Sequence, residues 1–159
     1  MDDISLTALG FALAILLVVS GLFSIAETAM MAANRYRLKH RAQRGERGAR
    51  LAVALLGQTD RLLGVILLGN NLINAAAATL TTVITVRLFG EGELALGIAT
   101  VAVTFGILVF SEITPKVIGA AHADRIAPMA SFVLSPLLTA ARPLVGFVNF
   151  FVQALLKLL

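Results

Sequence analysis

Cysteine is absent from this 159-residue chain, which removes disulfides, thiolate metal sites and cysteine nucleophiles at once. Histidine occurs only twice and no HExxH or GxGxxG pattern is present, so zinc-type and phosphate-cradling sites have nothing to build on. Charge is scarce: 14% of residues are charged against 58% hydrophobic, with a mean hydropathy of +0.92. Such a chain is too apolar for a soluble domain and falls with integral membrane proteins. Its net charge of +4 sits mostly in one short segment, so membrane topology explains the basic balance better than nucleic acid does.

Three apolar segments stand out. Residues 5–33 carry Glu27 as their only acid, and at ~1.5 Å rise per residue they are long enough to cross ~30 Å of hydrocarbon. The acidic start, Met1-Asp2-Asp3, and the length of this stretch argue against a cleaved signal peptide. Between 35 and 61 the composition flips: eight basic side chains, among them Arg35, Arg44, Arg50 and Arg61, oppose Glu46 and Asp60, the mark of a cytoplasmic juxtamembrane loop. Inside it, Leu51 to Leu56 reads as a short interfacial helix with its arginines toward headgroups. Further spans are expected over 62–86 and 94–117, joined by an outer turn from Arg87 to Glu93. The N-terminus is then outside and the C-terminus cytoplasmic. Residues 126–159 are apolar but interrupted by Pro128, Pro136 and Pro143, which favours bent membrane-level helices over a straight fourth span.

Polar residues lie where such spans tolerate them least. Ser20, Ser24 and Glu27 are spaced i, i+4, i+7; Asn70 and Asn74 are spaced i, i+4; Glu112 interrupts the third span. Ser24, Asn70 and Glu112 all fall about 6 to 10 Å toward the cytoplasm from their span midpoints, so three segments bring oxygen donors to one layer. Pro115 lacks an N–H for the carbonyl of Ser111, which would free that oxygen as a further donor. Gly64 and Gly69 permit close approach of another backbone. Hydroxyl, amide, carbonyl and carboxylate oxygens suit a hard cation such as Mg2+ or Na+.

Each residue also has a plainer reading. The serines can bond back to their own helix, and the asparagines can act as interhelical glue. Glu112 can pair with Lys116 at i+4, and Glu27 with an interfacial arginine. The run Ala75 to Ala78 is most simply close helix packing.

The segments Ser20 to Ala29 (SGLFSIAETA), Gly69 to Asn74 (GNNLIN) and Phe110 to Lys116 (FSEITPK) resemble, in order, the signatures of the DUF21 transmembrane domain of the CorC/CNNM magnesium transporters. The resemblance covers essentially the whole chain, 1–159. It implies an all-α integral membrane fold, homodimeric, with three transmembrane helices per subunit and juxtamembrane or belt helices. It further implies one magnesium site per protomer and transport linked to sodium in some members, and the expected location is the cell inner (plasma) membrane. Carried over position by position, it implies Ser20, Ser24, Asn70, Asn74 and Glu112 as ligands, and the carbonyl of Ser111 freed by Pro115 is added to them from the proline argument above. Cytoplasmic CBS domains are implied as partners after the membrane part; the chain stops at Leu159 without them, as an excised membrane domain would.

Taken together, these readings lead to the expectation of magnesium transport, as efflux by a sodium-coupled alternating-access carrier, with apolar packing near Leu16 and Ile84 closing the outer half. The alternative is a non-transporting ion sensor or scaffold that controls attached cytoplasmic domains. An intramembrane enzyme is the weakest reading, because Glu27 and Glu112 lack a metal-histidine set or an activated nucleophile.

Overall fold

Long apolar runs cannot leave backbone N–H and C=O groups unpaired in lipid, and helices pair them within one segment. The computed structural model describes residues 5–159, and these are helical almost throughout. The acidic start at Met1 to Asp3, whose outward placement was expected, lies outside the described residues. In order the helices are α1 (Leu6–Ala32), α2 (Arg35–Gln43), α3 (Arg47–Leu56), α4 (Thr59–Phe89), α5 (Glu93–Gly106), a π-helical segment (Ile107–Ile113), α6 (Thr114–Ala121), α7 (Ala123–Ala140) and α8 (Arg142–Leu158). Among the described residues, α1, α4 and the continuous stretch Glu93–Ala121 are long and apolar enough to cross a membrane. The last stretch joins α5, the π segment and α6.

The ends of α4 are set locally. Thr59 Oγ1 donates to the carbonyl of Leu56, and Asp60 places an acid in the first turn, where the helix dipole favours it. At the far end Gly90 takes φ +83 and its N–H donates to Val86, the left-handed cap that glycine adopts without steric cost. A short turn to Glu93 follows.

The chain divides into two compact units, residues up to 28 with 69–121, and residues 29–68 with 122–159. In the second unit, Leu38 of α2, Ala49, Ala52 and Leu55 of α3, and Ala127, Leu134 and Leu138 of α7 form a buried core. The apolar side of α3 is therefore committed to protein, where the sequence suggested a helix lying on lipid; Arg47 and Arg50 do point outward. Gly48 makes this packing possible: a Cβ there would sit 2.9 Å from the carbonyl oxygen of Pro128.

Asp124 ties the start of α7 to α2. Its carboxylate accepts from the Asn34 N–H at 2.8 Å and from Arg37 Nη1 at 3.1 Å, while Asn34 caps α2 by accepting from the N–H groups of Tyr36 and Arg37. The expected kinks at Pro128 and Pro136 do not end α7. Pro128 cannot donate to the carbonyl of Asp124 four residues back, but Arg41 Nη1 donates to that oxygen at 2.8 Å and replaces the missing bond. The break comes at Ala141, where α7 and α8 meet with a 66° bend and Pro143 occupies the first turn of α8. The first turn of a helix is where a missing N–H costs no intrahelical bond.

This pairing predicts an asymmetric double-mutant cycle. Arg41→Met strands the Asp124 carbonyl and should cost about 1 to 2 kcal/mol of stability, reduced from a buried value because Arg41 is partly exposed. In a Pro128→Ala background, which restores a backbone N–H, the same change should cost clearly less. Equal costs in both backgrounds, measured by thermal unfolding, would show that Arg41 does not substitute for the proline.

Candidate functional site

Within the first unit the polar residues of α1 and α4 meet. Ser20 is fully buried, and its Oγ lies 2.8 Å from Asn70 Oδ1 and 2.7 Å from Asn74 Oδ1. The i, i+4 spacing puts both amides on one face of α4, so a single α1 hydroxyl reaches both. A hydroxyl carries one proton and can donate to only one of them at a time. Three side-chain oxygens thus converge, donors of the kind a hard cation takes. The serine side chain is used across helices, and the plainer reading of Ser20 bonding back to its own helix does not describe it.

One turn further along α1, Ser24 is also fully buried, and its Oγ has no hydrogen-bond partner among the described residues. An unsatisfied buried hydroxyl costs ~1 to 3 kcal/mol. Its lone pairs are available to a ligand on the Ser20 side of the helix. Asn71, by contrast, is exposed and stands apart from the cluster.

The third span approaches α1 at Gly21. A Cβ there would lie 3.2 Å from the carbonyl oxygen of Phe110 and 3.4 Å from Pro115 Cγ, so only glycine admits this crossing without a shift. Ser111 is buried and its Oγ donates to the Leu17 carbonyl at 3.0 Å, fixing the span against α1. This side-chain anchor was not foreseen; the sequence pointed only to the Ser111 carbonyl. Nor was the winding. Ile107–Ile113 is π-helical, and the Thr114 N–H donates to Val109 five residues back. The π winding widens the helix where Ser111 and Glu112 sit.

Glu112 is half-buried and makes no hydrogen bond or ion pair among the described residues. Among the described residues neither the Glu112 to Lys116 pair of the plainer reading nor one between Glu27 and an interfacial arginine is formed. Lys116 Nζ instead stands 3.7 Å from Glu27 Oε2, both groups partly exposed. Lys116 is thereby occupied by the glutamate of α1, and Glu112 keeps its carboxylate uncommitted next to the crossing.

Two glycines behave differently from expectation. Gly69 is approached by the ring of Phe23, at 3.1 Å from where a Cβ would be, rather than by another backbone, and Gly64 faces open space. Of the alanine run, Ala77 is buried while Ala75, Ala76 and Ala78 are exposed in this single chain. A pocket of about 670 Å³ lies between α1, α4 and the third span, walled by Leu13, Leu17, Thr85, Ile98, Val103 and Phe110 among others, and no α5 side chain is buried. Thr81 and Thr85 are satisfied by their own helix at i−4, so the pocket offers apolar surface without free donors.

Among the described residues no group of three or more His, Cys, Asp or Glu side chains could hold a metal ion. The cluster is built from neutral oxygens with one nearby carboxylate. Such donors fit a hard, partly hydrated cation and not zinc or copper.

The chain matches the profile of the cyclin M transmembrane N-terminal domain over residues 11–159. It is 42% identical to a UPF0053 protein of Haemophilus influenzae over 158 residues, covering 99% of this chain and 37% of that protein. It is also 42% identical to the UPF0053 inner membrane protein YfjD of Escherichia coli over 141 residues, 89% of this chain and 32% of that one. A chloroplastic DUF21 domain-containing protein of Arabidopsis thaliana is 29% identical over 150 residues, 94% of this chain and 22% of the plant protein. The chain thus spans about a third or less of the length of these relatives. With helices long and apolar enough to cross a membrane and a profile match over nearly its whole length, this membrane protein belongs to the CNNM (DUF21) transmembrane-domain family.

Proposed function

We propose that this domain carries magnesium across the membrane, holding the ion among the oxygens of Ser20, Ser24, Asn70, Asn74 and Glu112, with the Ser111 carbonyl as a further donor. The observation that carries this reading is the contact of Ser20 Oγ with both asparagine oxygens, beside the unpartnered hydroxyl of Ser24. Neutral donors with a single carboxylate neutralise only part of a divalent charge, which keeps binding weak enough for release. Magnesium sheds water reluctantly, so several of these oxygens contact the ion through its remaining waters.

The mechanism proposed is alternating access: α1 and α4 shear so that one set of ligands opens to either side, with sodium stabilising the return state and net movement outward. The domain works as a homodimer in the bacterial inner membrane, as a transporter and not an enzyme, with α7 and α8 as a bent belt at membrane level. In proteoliposomes containing only this chain, magnesium flux is expected for the wild type and not for Asn70→Ala. The relatives are about three times longer, which supports one competing role, an ion sensor that sets the conformation of attached cytoplasmic CBS domains. Magnesium binding without flux would assign that role. Long-lived single-channel currents would assign a pore.

Orientation follows from the basic segment. With 35–61 and the C-terminus cytoplasmic, and the turn from Arg87 to Glu93 outside, cysteines placed singly at Arg44 and Gly92 should label from opposite faces of the membrane. The native chain has no cysteine to confuse the result. Labelling of both from one side contradicts this topology.

A further inference from the structure

A second pocket, in the other unit and independent of the magnesium reading, is lined by Arg61, Leu138, Arg142, Val145, Gly146 and Asn149, with a volume of about 290 Å³. Arg61 lies in the first turn of α4, and Arg142 opens α8 just after the 66° bend. Neither guanidinium makes a hydrogen bond or ion pair among the described residues, and no carboxylate lines the pocket. Two like charges facing one small space repel each other. Both also occupy the positive end of a helix, where a cation is disfavoured by ~0.3 to 1 kcal/mol. An anion between them reverses both effects.

The chemistry of the walls narrows the choice. Guanidinium forks bind phosphate oxygens in pairs, and the Asn149 amide adds a neutral donor. The remaining wall is aliphatic, and the same face of α8 continues from it with Val152 and Leu156 exposed. A phosphate attached to hydrocarbon matches both surfaces, whereas a free phosphate uses only one. We propose that this pocket binds the phosphate of an anionic phospholipid, with its acyl chains lying along the exposed apolar side of α8.

The test titrates the purified chain in detergent with phosphatidylglycerol, with phosphatidylcholine, and with inorganic phosphate, reading bound lipid by native mass spectrometry and stability by thermal unfolding. Phosphatidylglycerol should bind about tenfold tighter than phosphatidylcholine, and Arg61→Gln or Arg142→Gln should each remove most of that preference. Arg44→Gln, which deletes an exposed arginine outside the pocket, should retain it. Both pocket arginines are exposed and unpaired, so folding should survive; Arg142→Lys, which keeps the charge but loses the fork, gives a second variant expected to bind more weakly than wild type. Equal binding of the two lipids, equal losses in Arg44→Gln, or displacement of phosphatidylglycerol by millimolar inorganic phosphate would each overturn the assignment.

Discussion

Glu112→Ala is expected to abolish magnesium stabilisation while leaving the magnesium-free protein as stable as the wild type, or slightly more so. The side chain is half-buried in a membrane-spanning helix and no partner among the described residues compensates it, so its removal relieves a cost. It is also the one carboxylate in the proposed ligand set, and losing it should weaken the site by about 100-fold, ~2.7 kcal/mol. At a magnesium concentration about 100 times the wild-type dissociation constant, the wild type gains ~2.7 kcal/mol from the ion and the variant only ~0.4. A thermal titration separates these outcomes. Ser24→Ala, which deletes a neutral donor, should fall between the two. If the variant without Glu112 keeps the full magnesium shift, the glutamate is not a ligand and the uncommitted carboxylate needs another explanation.

The second large effect is a failure of additivity. Ser20 has one proton for two asparagine oxygens, so removing either amide leaves the other to receive it. Asn70→Ala and Asn74→Ala should therefore each cost about 0.6 kcal/mol or less without magnesium, as single interhelical hydrogen bonds in membranes do. The double variant leaves Ser20 buried and unpaired, and should cost ~2 to 3 kcal/mol, more than the sum of the two. Magnesium binding follows a different rule, because an ion uses both oxygens together: each single variant should already lose most of it. Simple addition in stability, together with intact binding in the singles, would reduce the asparagines to packing.

Much of this site can be read along the chain because the relevant signal is periodic. Ser20, Ser24, Asn70 and Asn74 announce themselves by i, i+4 spacing in segments too apolar to carry polar residues without a partner. Helical geometry alone then says that each pair shares a face. What spacing does not carry is register between helices and departures from α winding. The π segment at Ile107–Ile113 has no composition of its own, and the meeting of Lys116 with Glu27 depends on how α1 and the third span lie against each other. Gly21 offered a weak signal, a glycine between two functional serines, but its role depends on where the third span crosses. The helix breaks were similarly misplaced. Pro128 reads as a kink until Arg41, distant in sequence, is found bonding the carbonyl that the proline cannot reach, and the bend falls at Ala141 instead. The basic segment reads as a topology signal, yet its apolar Leu51 to Leu56 stretch faces α7, because hydrophobic spacing alone cannot distinguish protein from lipid as the covering surface.

The central claim is that the cluster around Ser20 is where the transported ion sits, and manganese offers the most direct view of it because it takes the same oxygen ligands and scatters anomalously. Crystals grown with Mn2+ should show one anomalous peak per protomer between α1, α4 and the π segment, with at least one of the Ser20, Ser24, Asn70, Asn74 or Glu112 oxygens at roughly 2.0 to 2.2 Å and water completing the shell. The same peak should vanish in Glu112→Ala. A peak elsewhere in the protein, or a cluster in which Ser20 keeps its hydrogen bond to an asparagine and no ion enters while flux proceeds at saturating magnesium, would contradict the account.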